Sequence, residues 1–249
     1  MARTTVTIET KDGRCEASVF RPEGKDAQGP WPAVLFFMDG IGIRPALFAM
    51  GERLAAHGYF VLLPDLFYRA GPYEAPDAKK LFADPETFKA WRAKIGPGAS
   101  TSNTMSDAEA FLAFLAAQSD VKQPKIGVTG YCMGGGLALT LAGQFPDRVA
   151  AAASYHGARL ASDQPDSPHL LAPRMKARVY VGGAIEDAGF PDDMKQRLDD
   201  ALTAAKVEHT IETYPAKHGW VPSDTPVHDP AAAEKHWQTL FALLDGALK

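Results

Sequence analysis

The chain has 249 residues, of which 46% are hydrophobic and 22% are charged, and its formal net charge is −4. This size and composition are typical of one globular α/β domain, which we expect to span residues 1–249. The sequence lacks a cluster of Lys and Arg, a signal-peptide core and an apolar run of the roughly 18 residues that cross a membrane, so we expect a cytoplasmic protein that binds neither nucleic acid nor membrane.

Eight β-strands are predicted, and from Trp31 onward they alternate with helical patterns. The predicted strands cover 4–9, 14–21, 32–38, 59–63, 124–129, 149–155, 177–182 and 208–213. The predicted helices lie near 46–57, 100–118, 134–145, 191–206 and 230–247. This alternation favours an α/β fold with a mostly parallel sheet of about eight strands and helices on both faces. The first two strands are more amphipathic and are predicted to form an antiparallel edge pair.

The segment 64–98 is rich in proline and predicts short helical pieces among loops. It follows the carboxyl end of a strand, where ligands bind in parallel sheets, so we expect it to cover a cleft. A plain surface connection is the alternative. Its large aromatic side chains are candidate wall residues, with core packing as the alternative for each: Tyr68, Tyr73, Phe82, Phe88 and Trp91.

A cysteine stands at the centre of the motif Gly130-Tyr131-Cys132-Met133-Gly134. A β-prone run precedes the motif and a small-residue helical run follows it, which is the context of a nucleophile elbow. The helix N-terminus at such a turn favours a thiolate. A buried cysteine in a glycine-rich turn is the alternative interpretation. The other cysteine, Cys15, is predicted to pack in a strand, and we expect neither a disulfide nor a structural zinc site.

A cysteine nucleophile needs a base, and the base needs an acid that orients it. His218 lies directly after the last predicted strand and before the last helix, where the base of an α/β-hydrolase belongs. His156 follows the strand after the elbow helix; it is the second candidate for the base, and lining of the pocket is its preferred role. Glu186 and Asp187 both end a strand and could each supply the acid.

These motifs resemble those of the dienelactone hydrolase family of α/β-hydrolases. The run 130–135 resembles the cysteine elbow of the family, and 187–191 resembles its acid loop, in which Asp187 takes the family position. His218 stands where the family has its histidine, and 64–69 resembles the segment after the fourth strand. The resemblance covers nearly the whole chain. It implies an α/β-hydrolase fold and a triad of Cys132, His218 and Asp187.

The resemblance also implies an oxyanion hole and a substrate site. The backbone N–H groups of Gly40 and Met133 would hold the oxyanion. The family usually carries Glu where Asp39 stands, and it binds the substrate carboxylate with two arginines. Arg69 matches the first of these, whereas the second position, in 219–222, holds no arginine. The candidate substrate-binding residues are Arg69, Asp39, Tyr131, Trp220 and His156. A turn residue is the alternative for Asp39, and a surface charge is the alternative for Arg69.

We therefore expect a carboxylic-ester or lactone hydrolase that acts through a thioester acyl-enzyme on a small-molecule substrate. This mechanism requires neither a metal nor an organic cofactor, and we expect a monomer or a homodimer. Two alternatives stay open. A non-catalytic ligand-binding protein on a hydrolase scaffold would typically lose a triad member. A redox-active thiol protein would cycle through sulfenic acid, but no resolving cysteine lies near the elbow.

Overall fold

The fold is built on one twisted sheet. The computed structural model describes residues 3–23 and 28–249. Its strands are β1 (Arg3–Thr10), β2 (Gly13–Phe20), β3 (Ala33–Phe37), β4 (Phe60–Pro64), β5 (Ile126–Tyr131), β6 (Val149–Tyr155), β7 (Arg178–Ala184) and β8 (His209–Tyr214). They lie side by side in the order β1-β2-β4-β3-β5-β6-β7-β8.

Most of the sheet is parallel. Strand β2 pairs antiparallel with both β1 and β4, and the remaining neighbours are parallel. The inner strands β3, β4 and β5 are buried along their whole length, as their continuous apolar sequences require. The predicted fold class and the antiparallel edge pair are confirmed.

Seven α-helices lie between or after the strands in the described ranges. They are α1 (Pro45–Ala56), α2 (Ala78–Ala83), α3 (Pro85–Ile95), α4 (Thr101–Ala116), α5 (Met133–Gln144), α6 (Asp192–Ala204) and α7 (Pro230–Leu248). Side-chain caps fix several of their starts: Ser100 accepts a hydrogen bond from the N–H of Asn103, and Asp229 from that of Ala232. None of these helices combines the length and the apolarity that a membrane crossing requires.

Two glycines of β5 show that helices cover both faces of the sheet. A Cβ on Gly127 would lie 2.5 Å from Leu244 of α7, whereas a Cβ on Gly130 would run into the backbone of Gly134 in α5. The two glycines are three residues apart, so their side-chain positions point to opposite faces of the strand. Helices α5 and α7 therefore pack on opposite faces, and the absent side chains let both approach closely.

The segment 64–98 is more helical than predicted. It contains α2, α3 and the 3-10 turn Tyr68–Ala70, and a second 3-10 turn, Gly96–Ala99, begins at its end. The reason is local capping: Asp77 accepts hydrogen bonds from the first backbone N–H groups of α2, and Asp84 does the same for α3. Pro85 occupies the first turn of α3, where proline starts a helix rather than breaking it.

Candidate active site

Cys132 occupies a strained turn between β5 and α5. Its backbone has φ 53° and ψ −114°, in the positive-φ region that a side chain rarely adopts. Its N–H donates to the carbonyl oxygen of Tyr155 at 3.1 Å, which ties the turn to β6. The flanking glycines are needed because a Cβ on Gly134 would lie 2.6 Å from the carbonyl oxygen of Met38. The turn leaves the free thiol partly exposed.

His218 and Asp187 lie on neighbouring loops at the carboxyl ends of β8 and β7. Nδ1 of His218 is 2.7 Å from Oδ2 of Asp187, and Oδ1 of Asp187 accepts from the N–H of Gly189 at 2.8 Å. The adjacent Glu186 is exposed. The side chain of Cys132 lies near enough to His218 to act on the pKa of its imidazole. Asp187, His218 and Cys132 thus lie together at the carboxyl edge of the sheet, with the imidazole hydrogen-bonded to the carboxylate.

The proximity of these three side chains shifts the pKa values of His218 and Asp187. Burial lowers the pKa of His218, but the hydrogen bonds to Asp187 and Cys132 and the charges of these two groups outweigh it and raise the pKa to about 10. Burial raises the pKa of Asp187, but the hydrogen bond and the charge of His218 hold it below its usual value. Both shifts favour a protonated imidazole beside the Asp187 carboxylate.

Three predicted substrate-binding residues are buried beneath Cys132 and His218. Tyr131 and Trp220 are 0% exposed and His156 is 1% exposed, so none of them reaches a substrate, which corrects the prediction. The Tyr131 hydroxyl lies 2.8 Å from Nε2 of His236. Nδ1 of His156 accepts from the N–H of Cys132 at 3.1 Å, and its ring packs between Trp220 and His218.

The support that His156 gives depends on its neutral form. Burial, together with the neighbouring His218 and His236, holds the pKa of His156 well below its usual value. Nδ1 therefore remains an acceptor for the Cys132 N–H. His156 is a buried support of the elbow and of the ring of His218.

The predicted oxyanion loop is held rigidly at one peptide. The carbonyl of Gly40 accepts from Nε1 of Trp91 at 2.9 Å, and the N–H of Ile41 donates to Oδ1 of Asp39 at 3.0 Å. These two bonds hold both polar groups of the peptide between Gly40 and Ile41. Within the described part of the chain, the N–H groups of Gly40 and Met133 have no acceptor.

Asp39 is held in an ion pair rather than directed at a substrate. Arg44, 4% exposed, binds both carboxylate oxygens of Asp39, at 2.8 and 2.9 Å. The same guanidinium binds Asp224, at 2.6 and 3.1 Å, in the loop that follows His218. The pairing corrects the prediction that Asp39 binds substrate. Arg44 instead connects the oxyanion loop to the histidine loop.

Arg69 is also engaged elsewhere. Its guanidinium donates to both carboxylate oxygens of Asp107, to Asp12 and to the carbonyl oxygen of Gly98. These contacts occupy its five N–H groups, and Arg69 does not line the cleft beside Cys132. This corrects its predicted role as a substrate-binding residue: Arg69 anchors the start of the segment 64–98 to α4.

A cavity of about 540 Å³ opens beside Cys132, and it carries two other arginines. Arg92 of α3 and Arg159 after β6 both line it. Nη1 of Arg92 lies 3.2 Å from where a Cβ on Gly40 would be, so its guanidinium is next to the oxyanion loop. Across the described residues, neither arginine has an ion-pair partner. No spacing in the sequence marks these two positions, and α3 lies in a stretch that predicted mainly loop.

A model of the dienelactone hydrolase family matches residues 15–248. The chain belongs to this family. It is 28% identical to a Synechocystis protein provisionally named as a carboxymethylenebutenolidase, over 99% of this chain and 97% of the relative. It is 26% identical to the carboxymethylenebutenolidase of Pseudomonas putida, over 80% of this chain and 78% of that protein. The resemblance inferred from the elbow and the acid loop is confirmed.

Solved structures agree with the family in fold. A dienelactone hydrolase from Anabaena variabilis superposes with a TM-score of 0.70 at 20% identity, covering 100% of this chain and 99% of that one. The dienelactone hydrolase-like promiscuous phosphotriesterase P91, from metagenomic libraries, superposes with a TM-score of 0.75 at 25% identity. The match covers 100% of both chains. The family and these relatives make the protein a dienelactone hydrolase-like hydrolase that acts on ester bonds of small molecules.

The engagement of Arg69 predicts an effect on stability rather than on catalysis. We expect Arg69→Met to lower the free energy of unfolding by about 3 kcal/mol, because it leaves the buried Asp107 without its cation. The kcat/KM of the folded variant for an ester should equal that of the wild type. Urea denaturation and ester hydrolysis measure the two quantities.

The control for this prediction is Arg14→Met, which breaks the exposed pair with Glu9 and should change stability little. An Arg69→Met protein of wild-type stability but raised KM would contradict the structural role.

Proposed function

We propose that Cys132, His218 and Asp187 form the catalytic triad of a carboxylic-ester or lactone hydrolase that works through a thioester acyl-enzyme. The hydrogen bond that orients the His218 imidazole on the Asp187 carboxylate, close to the Cys132 side chain, is the observation that carries the proposal. The orientation of the imidazole by the acid corresponds to the logic of the serine triad, with a thiol as nucleophile.

Acylation begins with the proton of Cys132 on His218. The thiolate attacks the carbonyl carbon, and the N–H groups of Gly40 and Met133 hold the developing oxyanion. Each donor placed in this way lowers the activation free energy by about 2.7–4 kcal/mol. When the intermediate collapses, the carbon–oxygen bond breaks, and the leaving oxygen takes the proton of His218. The product is a thioester on Cys132 beside a neutral imidazole.

Deacylation follows from the same geometry. The acylated sulfur carries no negative charge, so one of the causes that raise the pKa of His218 is lost. The neutral ring accepts a proton from water, and the hydroxide formed attacks the thioester carbonyl. The sulfur–carbon bond then breaks, the acid is released, and the thiolate–imidazolium pair returns. Asp187 holds the ring in the tautomer that both steps need.

The assembled triad favours hydrolysis over the alternatives. A binding protein on this scaffold would not require a nucleophile, base and acid in contact. A redox cycle would require a resolving thiol, but Cys15 is fully buried in β2, where burial and Asp65 raise its pKa.

The cleft further supports a substrate with a negative charge. Arg92 and Arg159 place two cations without acidic partners, among the described residues, on the wall of the cavity that holds Cys132. The relatives carry the name carboxymethylenebutenolidase, which denotes an enzyme for a lactone with a carboxylate group. Guanidinium groups are well suited to bind a carboxylate. We therefore include an anionic ester or lactone in the proposed function.

Hydrolysis of a panel of aryl esters, enol lactones and alkyl esters tests the triad. We expect Cys132→Ala and His218→Ala to lose kcat by on the order of 10⁴-fold or more, because triad members act as a unit. Intact mass spectrometry of the wild type during turnover should detect one acyl group on Cys132. Cys15→Ala is the matched thiol control and should keep full activity. Undiminished turnover by Cys132→Ala would refute the mechanism.

The proposed charge preference is tested with a matched substrate pair, the 4-nitrophenyl monoester of succinic acid and 4-nitrophenyl butyrate. We expect Arg92→Gln and Arg159→Gln each to lower kcat/KM for the anionic ester by about tenfold, equivalent to about 1.4 kcal/mol, and to leave the neutral ester unchanged. Arg174→Gln, on the surface away from the cleft, is the control. Equal losses on both esters would contradict a carboxylate-binding role.

A further inference from the structure

Helix α5 begins with three consecutive glycines after Met133, and packing requires only the first two. A Cβ on Gly134 would lie 2.6 Å from the carbonyl oxygen of Met38, and one on Gly135 would lie 2.9 Å from Cα of Gly157. A Cβ on Gly136 would have no neighbour closer than 3.7 Å, the carbonyl oxygen of Ala158, which is ordinary van der Waals contact. Glycine at this helical position costs stability relative to alanine, so its presence needs another reason.

The position of Gly136 in the cavity beside Cys132 supplies that reason. Met133, Gly136, Leu137 and Thr140 line this cavity from α5. Their spacing of three and four residues places them on one face of the helix. At 1.5 Å of rise per residue, this face is about 10 Å long. The rest of the lining comes from the segments 158–168 and 92–101. The cavity is thus a groove that follows α5 away from the thiol, with Gly136 in its floor.

The walls of the groove indicate which part of a substrate it receives. The groove includes Cys132 and Met133, but no described residue from 209 to 229 lines it, so His218 is not on its wall. The leaving-group oxygen must come within hydrogen-bond reach of His218 to take its proton. The leaving group therefore lies outside the groove, and the part of the substrate within it is the acyl arm.

The groove also has a chemical character. Its floor on α5 is apolar at Met133 and Leu137 and polar at Thr140. The wall 158–168 presents polar side chains at Ser162 and Gln164 and charged ones at Arg159 and Asp166. A length of about 10 Å accommodates roughly eight bonds of extended chain, since three backbone bonds span about 3.3–3.6 Å. A volume of about 540 Å³ falls in the range of sites for ligands much larger than one lactone ring.

We propose that the groove along α5 is an acyl-binding subsite for an extended, amphipathic acyl arm, and that Gly136 keeps it open. This assignment rests on the proposed thioester mechanism, because only that mechanism distinguishes an acyl arm from a leaving group. It extends that mechanism from the reacting carbonyl to the length of the substrate. A methyl group at position 136 would narrow the floor of the groove without disturbing the packing of α5.

The test compares Gly136→Ala with the wild type on 4-nitrophenyl acetate, butyrate, hexanoate and octanoate. In the wild type we expect kcat/KM to rise at least tenfold from acetate to hexanoate. In Gly136→Ala the hexanoate value should fall about tenfold, while the acetate value stays within twofold. The variant should melt at or above the wild-type temperature, so a folding defect cannot produce the result. Gly246→Ala, a glycine of α7 outside the cleft, is the control and should retain the wild-type length preference.

The outcomes separate the two claims. Hydrolysis of acetate with an unchanged length preference in Gly136→Ala would overturn the acyl subsite alone. A wild type that shows no preference for length would overturn it as well. A wild type that hydrolyses none of the four esters through Cys132 would overturn the proposed triad and, with it, the assignment of the groove.

Discussion

The strained turn at Cys132 is the constraint on which the rest of the site depends. A non-glycine residue at φ 53° persists only where its surroundings hold it. Here the support comes from below, where Tyr155 and His156 both accept hydrogen bonds from the Cys132 N–H, and from the close approach of Gly134 to the end of β3. The result is a thiol at the start of α5, directed to the same edge of the sheet as the loops after β7 and β8.

The arginines around the site fall into two groups: some bind carboxylates of the protein, and others line the cleft. Arg44 joins the oxyanion loop to the histidine loop through Asp39 and Asp224, and Arg69 anchors the segment 64–98 through Asp107. Each of these two guanidinium groups binds two carboxylates and one backbone carbonyl oxygen. The arginines that line the cleft are different ones, so a substrate anion would meet cations that are not already neutralised.

The sequence predicted what depends on local pattern. Strand alternation, buried apolar runs and the glycines around Cys132 specify the sheet and the elbow, and the predicted strand limits differ from the observed ones by about two residues at most. Residue pairings over long distances escaped prediction. Nothing near Arg44 indicates that Asp224, 180 residues away, is its partner, and the burial of Tyr131, His156 and Trp220 depends on how three strands and α7 pack together. Arg92 was not predicted to line the cleft because the prolines of its segment indicated loops, whereas Pro85 in fact starts the helix that carries Arg92.

The protonation state of His218 tests the central claim most directly. Its pKa is raised above the ordinary value, so the proton should be held throughout the neutral range and lost only as the pH rises through about 10. A ¹⁵N NMR titration of histidine-labelled protein, with the His218 signal assigned by His218→Gln, measures this. We expect an imidazolium from pH 7 to 9 in the wild type and a lower titration midpoint in Cys132→Ala. A wild-type midpoint near 6.5, unchanged in Cys132→Ala, would contradict an ion pair between His218 and the thiolate.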